Sequence, residues 1–331
     1  MFDASQPIVV RCGTNVYCNT IEEVYEKFNG QTIYTPTTEE VTWKPVAIKR
    51  KEVFDAKSLV YRLHFDNGTD VIVDKSHMFD GWQSDVAFTE YDEPDHAIKI
   101  NEKPFFNAID TSENYADGFF VGMYTRGGKM ESDKIVIETS QISLEVGEYV
   151  REMLRRMRPI RYTDTMISCN GLVGVHEIVV DNTEHVKYFT AFINNFITDS
   201  KPNLNAILYN QNFRRGVLDG IRLFDHTRFD ADFSIEKTKS SEEWMVDLIQ
   251  SLAVSLGYAV VVERYPRSTK MDIATSSMDS SHAPLKIQRI VQQTPTNEFG
   301  YDIDPEGEMI NGSIILPNGI LSNDHFRRFF N

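Results

Sequence analysis

Gly118-Phe119-Phe120-Val121-Gly122-Met123-Tyr124-Thr125-Arg126-Gly127-Gly128 decides how this chain is read, because a similar stretch, Asn212-Phe213-Arg214-Arg215-Gly216-Val217-Leu218-Asp219-Gly220-Ile221-Arg222, returns later. Each is apolar with a central glycine, Gly122 in one and Gly216 in the other, 94 residues apart. Each is followed by a strand-like stretch, Lys134–Glu138 or Asp232–Glu236, and then by a helical pattern. In the first pattern Val146, Val150, Met153, Leu154 and Met157 share one face and Pro159 stops the run. In the second, Met245, Leu248, Ile249, Leu252 and Leu256 share a face, with Ser241 as cap, Glu243 nearby and Gly257 at the end. Helix, strand, helix, strand occurring twice predicts a duplicated α/β unit.

The flanks follow a different period. Val60–Phe65 and Val71–Val73 read as strands joined through Asp66-Asn67-Gly68, and Ser313–Leu316 and Ile320–Ser322 flank Pro317-Asn318-Gly319 in the same way. The expectation is an α+β chain of two domains: a mainly-β domain split into 1–106 and 289–331, with the duplicated α/β domain inserted as 107–288.

Composition sets the outer limits. The 331 residues, 41% apolar and 25% charged, make a globular chain long enough for two cores. No apolar run approaches the roughly 18 to 20 residues of a membrane span, and the first residues carry no basic-then-apolar leader. Cys12, Cys18 and Cys169 contain no C-x-x-C pair, so a cytoplasmic protein without a cysteine zinc site is expected. The net charge of −15 opposes indiscriminate nucleic-acid binding. The centre, 111–290, carries −3 of it and the flanks −12.

These blocks together resemble an intein: a Hint-type β protein-splicing domain interrupted by a LAGLIDADG homing endonuclease, most similar to the vacuolar-ATPase type. Cys12-Gly13-Thr14-Asn15-Val16 resembles the G-T-x-V stretch after the first intein residue, and Asp74-Lys75-Ser76-His77 sits where the family has T-x-x-H. Tyr301-Asp302-Ile303-Asp304 and Asn318-Gly319-Ile320-Leu321-Ser322-Asn323 resemble the two C-terminal splicing blocks. The two glycine-centred stretches resemble the paired LAGLIDADG helices. The resemblance covers nearly the whole chain and implies a pseudo-two-fold αββαββ endonuclease domain.

It also implies which reactive groups should be present. Splicing begins with a Cys or Ser, since a side-chain nucleophile must attack the preceding carbonyl. Counting back four residues from Gly13 lands on Val9, which has none. At the other end Asn323 is present, but Ser322 replaces the penultimate His and Asp324 replaces the acyl acceptor. His77 persists, and without its partners it is expected to hold a strand end. In the endonuclease, each helix ends in an acid five residues past its glycine, and the two carboxylates meet at the axis to hold Mg²⁺. Those positions are Gly127, counted from Gly122, and Ile221, counted from Gly216. Asp219, two residues before Ile221, lies about 200° round the helix and faces away from the axis. Asp225, Glu131 and Asp133 follow the helix ends and read as loop or strand-edge charges.

Binding surfaces are sparser than in a DNA-binding protein. Arg151, Arg155 and Arg158 form one stripe, read as a solvated helix face before a phosphate patch, and Arg264 and Arg267 form a second cluster. Phe326, Arg327 and Phe329 mark an aromatic and basic tail suited to docking. The function expected is therefore a catalytically inactive intein and homing-endonuclease derivative, reused as a protein-interaction adaptor or scaffold. It is expected to have protein partners and no cofactor or metal, and the resemblance points to a phage genome. The alternatives are a free-standing site-specific endonuclease, which would need Mg²⁺, and a non-cleaving DNA-binding or transcription-associated protein.

Overall fold

The structure is a computed structural model that describes residues 1–38, 43–52, 59–75, 77–79, 86–87, 98–101, 114–131, 133–142, 144–156, 163–169, 172–198, 201–222, 233–238, 243–274, 285–305 and 313–322. The chain forms two compact units, Met1–Ala108 with Asp232–Asn331, and Ile109–Ala231.

The first unit is a nine-stranded antiparallel sheet woven from both ends of the chain. Its order is Ile287–Gln293, Val60–Phe65, Asp70–Val73, Phe2–Asp3, Phe299–Pro305, Trp43–Glu52, Ile33–Pro36, Pro7–Cys12 and Asn15–Thr20. Phe2 pairs with Tyr301 on one side and Val73 on the other, so the N-terminal strand fills a slot between a middle strand and a C-terminal one. Phe2, Val10, Leu63, Phe65, Val71 and Tyr301 belong to a core that excludes water almost completely. Helix α1 (Ile21–Phe28) starts at a capping box in which Thr20 and Glu23 satisfy each other's backbone N–H groups. It buries Ile21, Val24 and Phe28. A smaller sheet joins Ile314–Ile315, Leu321–Ser322, Met78–Phe79 and Val86–Ala87.

The hairpin predicted at Asp66-Asn67-Gly68 forms, with Gly68 at φ +77° and its N–H donating to Phe65 O. Its tip has a second role. Val262 N–H donates to Asn67 O at 2.7 Å, and Asn67 Nδ2 donates to Val260 O at 3.4 Å. These bonds tie the hairpin to a three-stranded sheet, ordered Phe233–Thr238, Ser268–Ala274, Ala259–Arg264. Asn101 Nδ2 likewise donates to Val254 O near the end of a helix, Glu243–Ser255. The stretch 232–288, assigned from the sequence to the inserted domain, thus groups with the β unit, and the second unit ends at Ala231.

Among the described residues the second unit has four α-helices, here α2 (Tyr115–Gly127), α3 (Leu144–Arg156), α4 (Thr183–Ile193) and α5 (Gln211–Arg222); Glu243–Ser255 of the first unit is α6. Its antiparallel sheet runs Gly128–Met130, Ile135–Ile142, Leu172–Val180, Thr163–Cys169. Asn114 caps α2 in a capping box with Asp117, and every residue from Ala116 to Tyr124 is buried. A helix buried all round lacks a solvent face, and apart from Asp117, which the capping box takes up, its buried residues are apolar, aromatic or glycine. Of the residues expected to face inward on α3, Val150 and Met153 are buried.

Candidate functional site

The helices α2 and α5 approach so closely that glycine is obligatory at four positions. A Cβ at Gly118 would fall on the Phe213 carbonyl oxygen, and one at Gly216 on that of Tyr115. A Cβ at Gly122 would meet Val217 O and Ile221 N, and one at Gly220 would meet Phe119 O and Met123 N. The contacts are reciprocal, and each α2 residue corresponds to the α5 residue 98 later: Tyr115 to Phe213, Gly118 to Gly216, Gly122 to Gly220.

This register corrects the 94-residue spacing read from the sequence, which matched Gly122 to Gly216. The error is one helical turn. Ile221 keeps its place, but its counterpart is Met123, not Gly127, which lies half-buried at the end of α2. Met123 and Ile221 are both fully buried. Mg²⁺ takes hard oxygen ligands. A thioether and an alkyl chain offer none, so the pair does not fit that ion. Among the described residues no group of three or more His, Cys, Asp or Glu could hold a metal ion.

In this register the α2 counterpart of Asp219 is Val121, which bears no carboxylate. Tyr115 Oη donates to Asp219 Oδ2 at 2.7 Å and lies 2.9 Å from Tyr149 Oη. Arg222 approaches Asp219 at 3.6 Å and Arg215 at 3.8 Å. Burial raises the Asp219 carboxyl above the ordinary range, although the Tyr115 bond and the two guanidinium groups pull the other way. Burial also pushes the Tyr115 phenol up, reinforced by the Asp219 charge. The sequence held no sign of this cluster, because Tyr149 reaches it from α3. Of the loop charges, Glu131 pairs with Lys134 at 3.0 Å, and Asp225 lies outside the described residues.

In the first unit two of the segments that resemble splicing motifs meet, at His77 and Ser322. The imidazole is fully buried between Phe2 and Phe79, with ring centroids at 4.5 and 4.7 Å, and His77 Nε2 lies 3.1 Å from Ser322 Oγ. The Met1 amino group donates to Asp74 Oδ1 at 3.2 Å. Val9, counted as the start of the motif, is elsewhere: it is buried in the strand Pro7–Cys12, where its carbonyl accepts from Thr35 Oγ1. The structure brings Met1 and Phe2 to the His77 segment instead. Neither side chain is a nucleophile that could start an acyl shift.

The basic candidates are largely engaged. Arg155 pairs with Glu152 at 3.4 Å, Arg151 is half-buried, and Arg264 donates to Gly68 O at 3.0 Å. Arg267 is exposed. Arg158, Asn323, Asp324, Phe326, Arg327 and Phe329 lie outside the described residues. Lys129 bridges Glu138 and Glu131, and Lys270 lies 3.0 Å from Asp272 and 3.6 Å from Glu263. Each of these sheets therefore holds a lysine paired with two carboxylates.

No family model matches the chain, and no curated protein matches it. Among solved structures it is similar to I-DmoI in complex with DNA and Mn, at a TM-score of 0.33 and 9% identity over 48% of this chain and 89% of that one. It is also similar to full-length DUF199/WhiA from Thermatoga maritima, at 0.32 and 12% over 52% and 55%. The N-terminal LAGLIDADG domain of DUF199/WhiA matches at 0.32 and 13% over 52% and 80%. The structural neighbours are thus LAGLIDADG proteins, over about half of this chain. No helix among the described residues is long and apolar enough to cross a membrane.

Proposed function

We propose that this chain is a catalytically inactive derivative of an intein with an inserted homing endonuclease, and that it works by binding another protein. The observation that carries the reading is the register of the helix pair, which sets Met123 against Ile221 where two carboxylates would have to meet. A sheet shared by both ends of the chain supports the split Hint-like half of the reading. His77 within reach of Ser322, with Phe2 rather than a nucleophile against its ring, supports the loss of splicing. The net charge of −15, and the pairing of Lys129 and Lys270 each with two carboxylates, weigh against extensive phosphate contacts.

The test has two arms. Incubation with a supercoiled plasmid library in Mg²⁺ and in Mn²⁺ is expected to leave the DNA uncut, and the intact mass of the chain is expected to stay unchanged. Cleavage at defined positions, or fragments ending beside Ser322, would overturn the inactive reading. Affinity capture from the native host is expected to yield a protein. Retention on duplex DNA that weakens steeply with salt would replace the protein partner with the DNA-binding alternative.

A further inference from the structure

Asn-Gly occurs five times in the chain, at Asn29, Asn67, Asn170, Asn311 and Asn318, and the pairs that begin at Asn29, Asn67 and Asn318 lie among the described residues. Each carries the same latent chemistry. The backbone nitrogen of the glycine loses its proton to base and attacks the asparagine Cγ, ammonia leaves, and water opens the resulting succinimide to aspartate or isoaspartate. Glycine favours the attack because no Cβ crowds its nitrogen. The ring closes only if the asparagine side chain can swing and the peptide between the two residues can rotate. Local order therefore decides which pair reacts.

The backbone of the glycine does not separate the three, since φ is +80° at Gly30, +77° at Gly68 and +85° at Gly319. What separates them is the bonding of the two reacting groups. Gly68 N–H donates to Phe65 O at 3.0 Å, and the Asn67 amide is held on both sides, donating from Nδ2 to Val260 O and accepting from Thr69 Oγ1 at 2.7 Å. Gly319 N–H donates to Leu316 O at 2.8 Å, while Asn318 Nδ2 donates to Asp70 O at 3.0 Å and its Oδ1 accepts from Ile320 N–H. Both turns must open before their rings can close.

Asn29 caps the C-terminus of α1 at φ −54° and ψ 127°. Asn29 and Gly30 are both exposed, and a Cβ at Gly30 would find no atom within 4 Å. Among the described residues neither the Asn29 side chain nor the Gly30 N–H makes a hydrogen bond. At this ψ the Gly30 nitrogen points away from Cγ, and the rotation that brings it round breaks no bond at either group.

We infer that Asn29–Gly30 is a site of spontaneous backbone modification, and that it converts while the pairs at Asn67 and Asn318 stay intact. The inference rests on the C-terminal turn of α1 and does not depend on the loss of catalysis. Its product differs in charge and in chain length: a carboxylate at the negative end of the α1 dipole and, in the isoaspartate form, an extra methylene in the backbone.

The test is incubation of the full folded chain in mildly alkaline buffer, followed by peptide mapping with mass spectrometry and by an isoaspartate-specific methyltransferase. Conversion at Asn29 is expected to run at least about tenfold faster than at Asn67 or Asn318, the factor that even a modest opening step imposes. In the chain unfolded by urea the rates at these sites are expected to converge to within about threefold, because the same dipeptide is then equally unrestrained. Equal rates in the folded chain, or an Asn29 peptide that stays unchanged while the unfolded chain converts, would overturn the assignment. An excess at Asn29 that persists in urea would trace the difference to neighbouring sequence and overturn its structural basis.

Discussion

Gly122 and Gly220 face each other across the helix pair so closely that a Cβ added to Gly122 would lie 2.9 Å from Gly220 Cα, and one added to Gly220 would lie 3.0 Å from Gly122 Cα. The relationship is symmetric, and it fixes both the register of the helices and which side chains flank their crossing. A Cβ at Gly220 would also meet the Phe119 carbonyl, which belongs to backbone and cannot swing aside. Gly220→Ala is therefore expected to cost about 3 kcal/mol, the upper end of ordinary overpacking, read as a lowered urea midpoint. An unchanged midpoint would show that the helices sit farther apart.

The hairpin tip gives a second, independent test. Gly68 has φ +77°, a region unfavourable to other residues, and a Cβ there would fall on the Val262 carbonyl oxygen. Gly68→Ala is expected to destabilise by about 2 kcal/mol or more through strain and displacement together. The specific signature is in hydrogen exchange. The Val262 amide, which donates to Asn67 O, should lose protection before the amides of the sheet core.

Asp3 predicts an acid-dependent stability. Burial works against its ionisation, but hydrogen bonds from Ser5 and Thr296, through both hydroxyls and both backbone N–H groups, outweigh it and hold the carboxyl below the ordinary 3.8. The folded value lies under the unfolded one, so this contribution is complete above the unfolded value and disappears as pH falls through the folded value. Asp3→Asn is expected to lower stability at pH 7 by about 2 kcal/mol. The gap between wild type and variant should close as the urea midpoint is followed below pH 3.8.

Asp219 predicts the opposite sign. Burial, the dominant cause, raises its carboxyl above the ordinary value, so the folded state favours the protonated form. That contribution is complete below 3.8 and is lost as pH rises through the folded value. Asp219→Asn keeps an acceptor for Tyr115 Oη without a charge to desolvate. Its urea midpoint should exceed that of wild type at pH 7 and converge with it in acid. A lower midpoint at pH 7 would mean that the Arg215 and Arg222 contacts matter more than burial.

The sequence was most legible where structure is local. The turns at Asp66-Asn67-Gly68 and Pro317-Asn318-Gly319 form as read, because an Asn-Gly pair presets the backbone whatever lies around it. The helical faces through Val150 and Met153 and through Leu248 and Leu252 were visible as period-3.6 patterns, and these residues are buried. Matching one glycine from each stretch does not determine the register of the helix pair. Gly118 with Gly122 and Gly216 with Gly220 form the real signal: small residues four apart, repeated after 98 residues. Gly13-Thr14 resembles a motif locally and so points to Val9, whereas the contact that places Phe2 against His77 spans 75 positions. The Tyr115–Tyr149–Asp219 cluster was hidden for the same reason, since the residues that surround a buried carboxylate come from different helices.

The bonds from Asn67 and Asn101 carry a consequence for how this chain can change. Excising 107–288, the segment expected from the sequence to be inserted, would strip both asparagines of their acceptors, Val260 O and Val254 O, and leave Gly68 without its Val262 neighbour. Pruning of that kind leaves a raw socket instead of a smaller working protein. The residues around Val254 and Val260 thus serve as a fastening for the hairpin and for Asn101, and losing them would not be neutral.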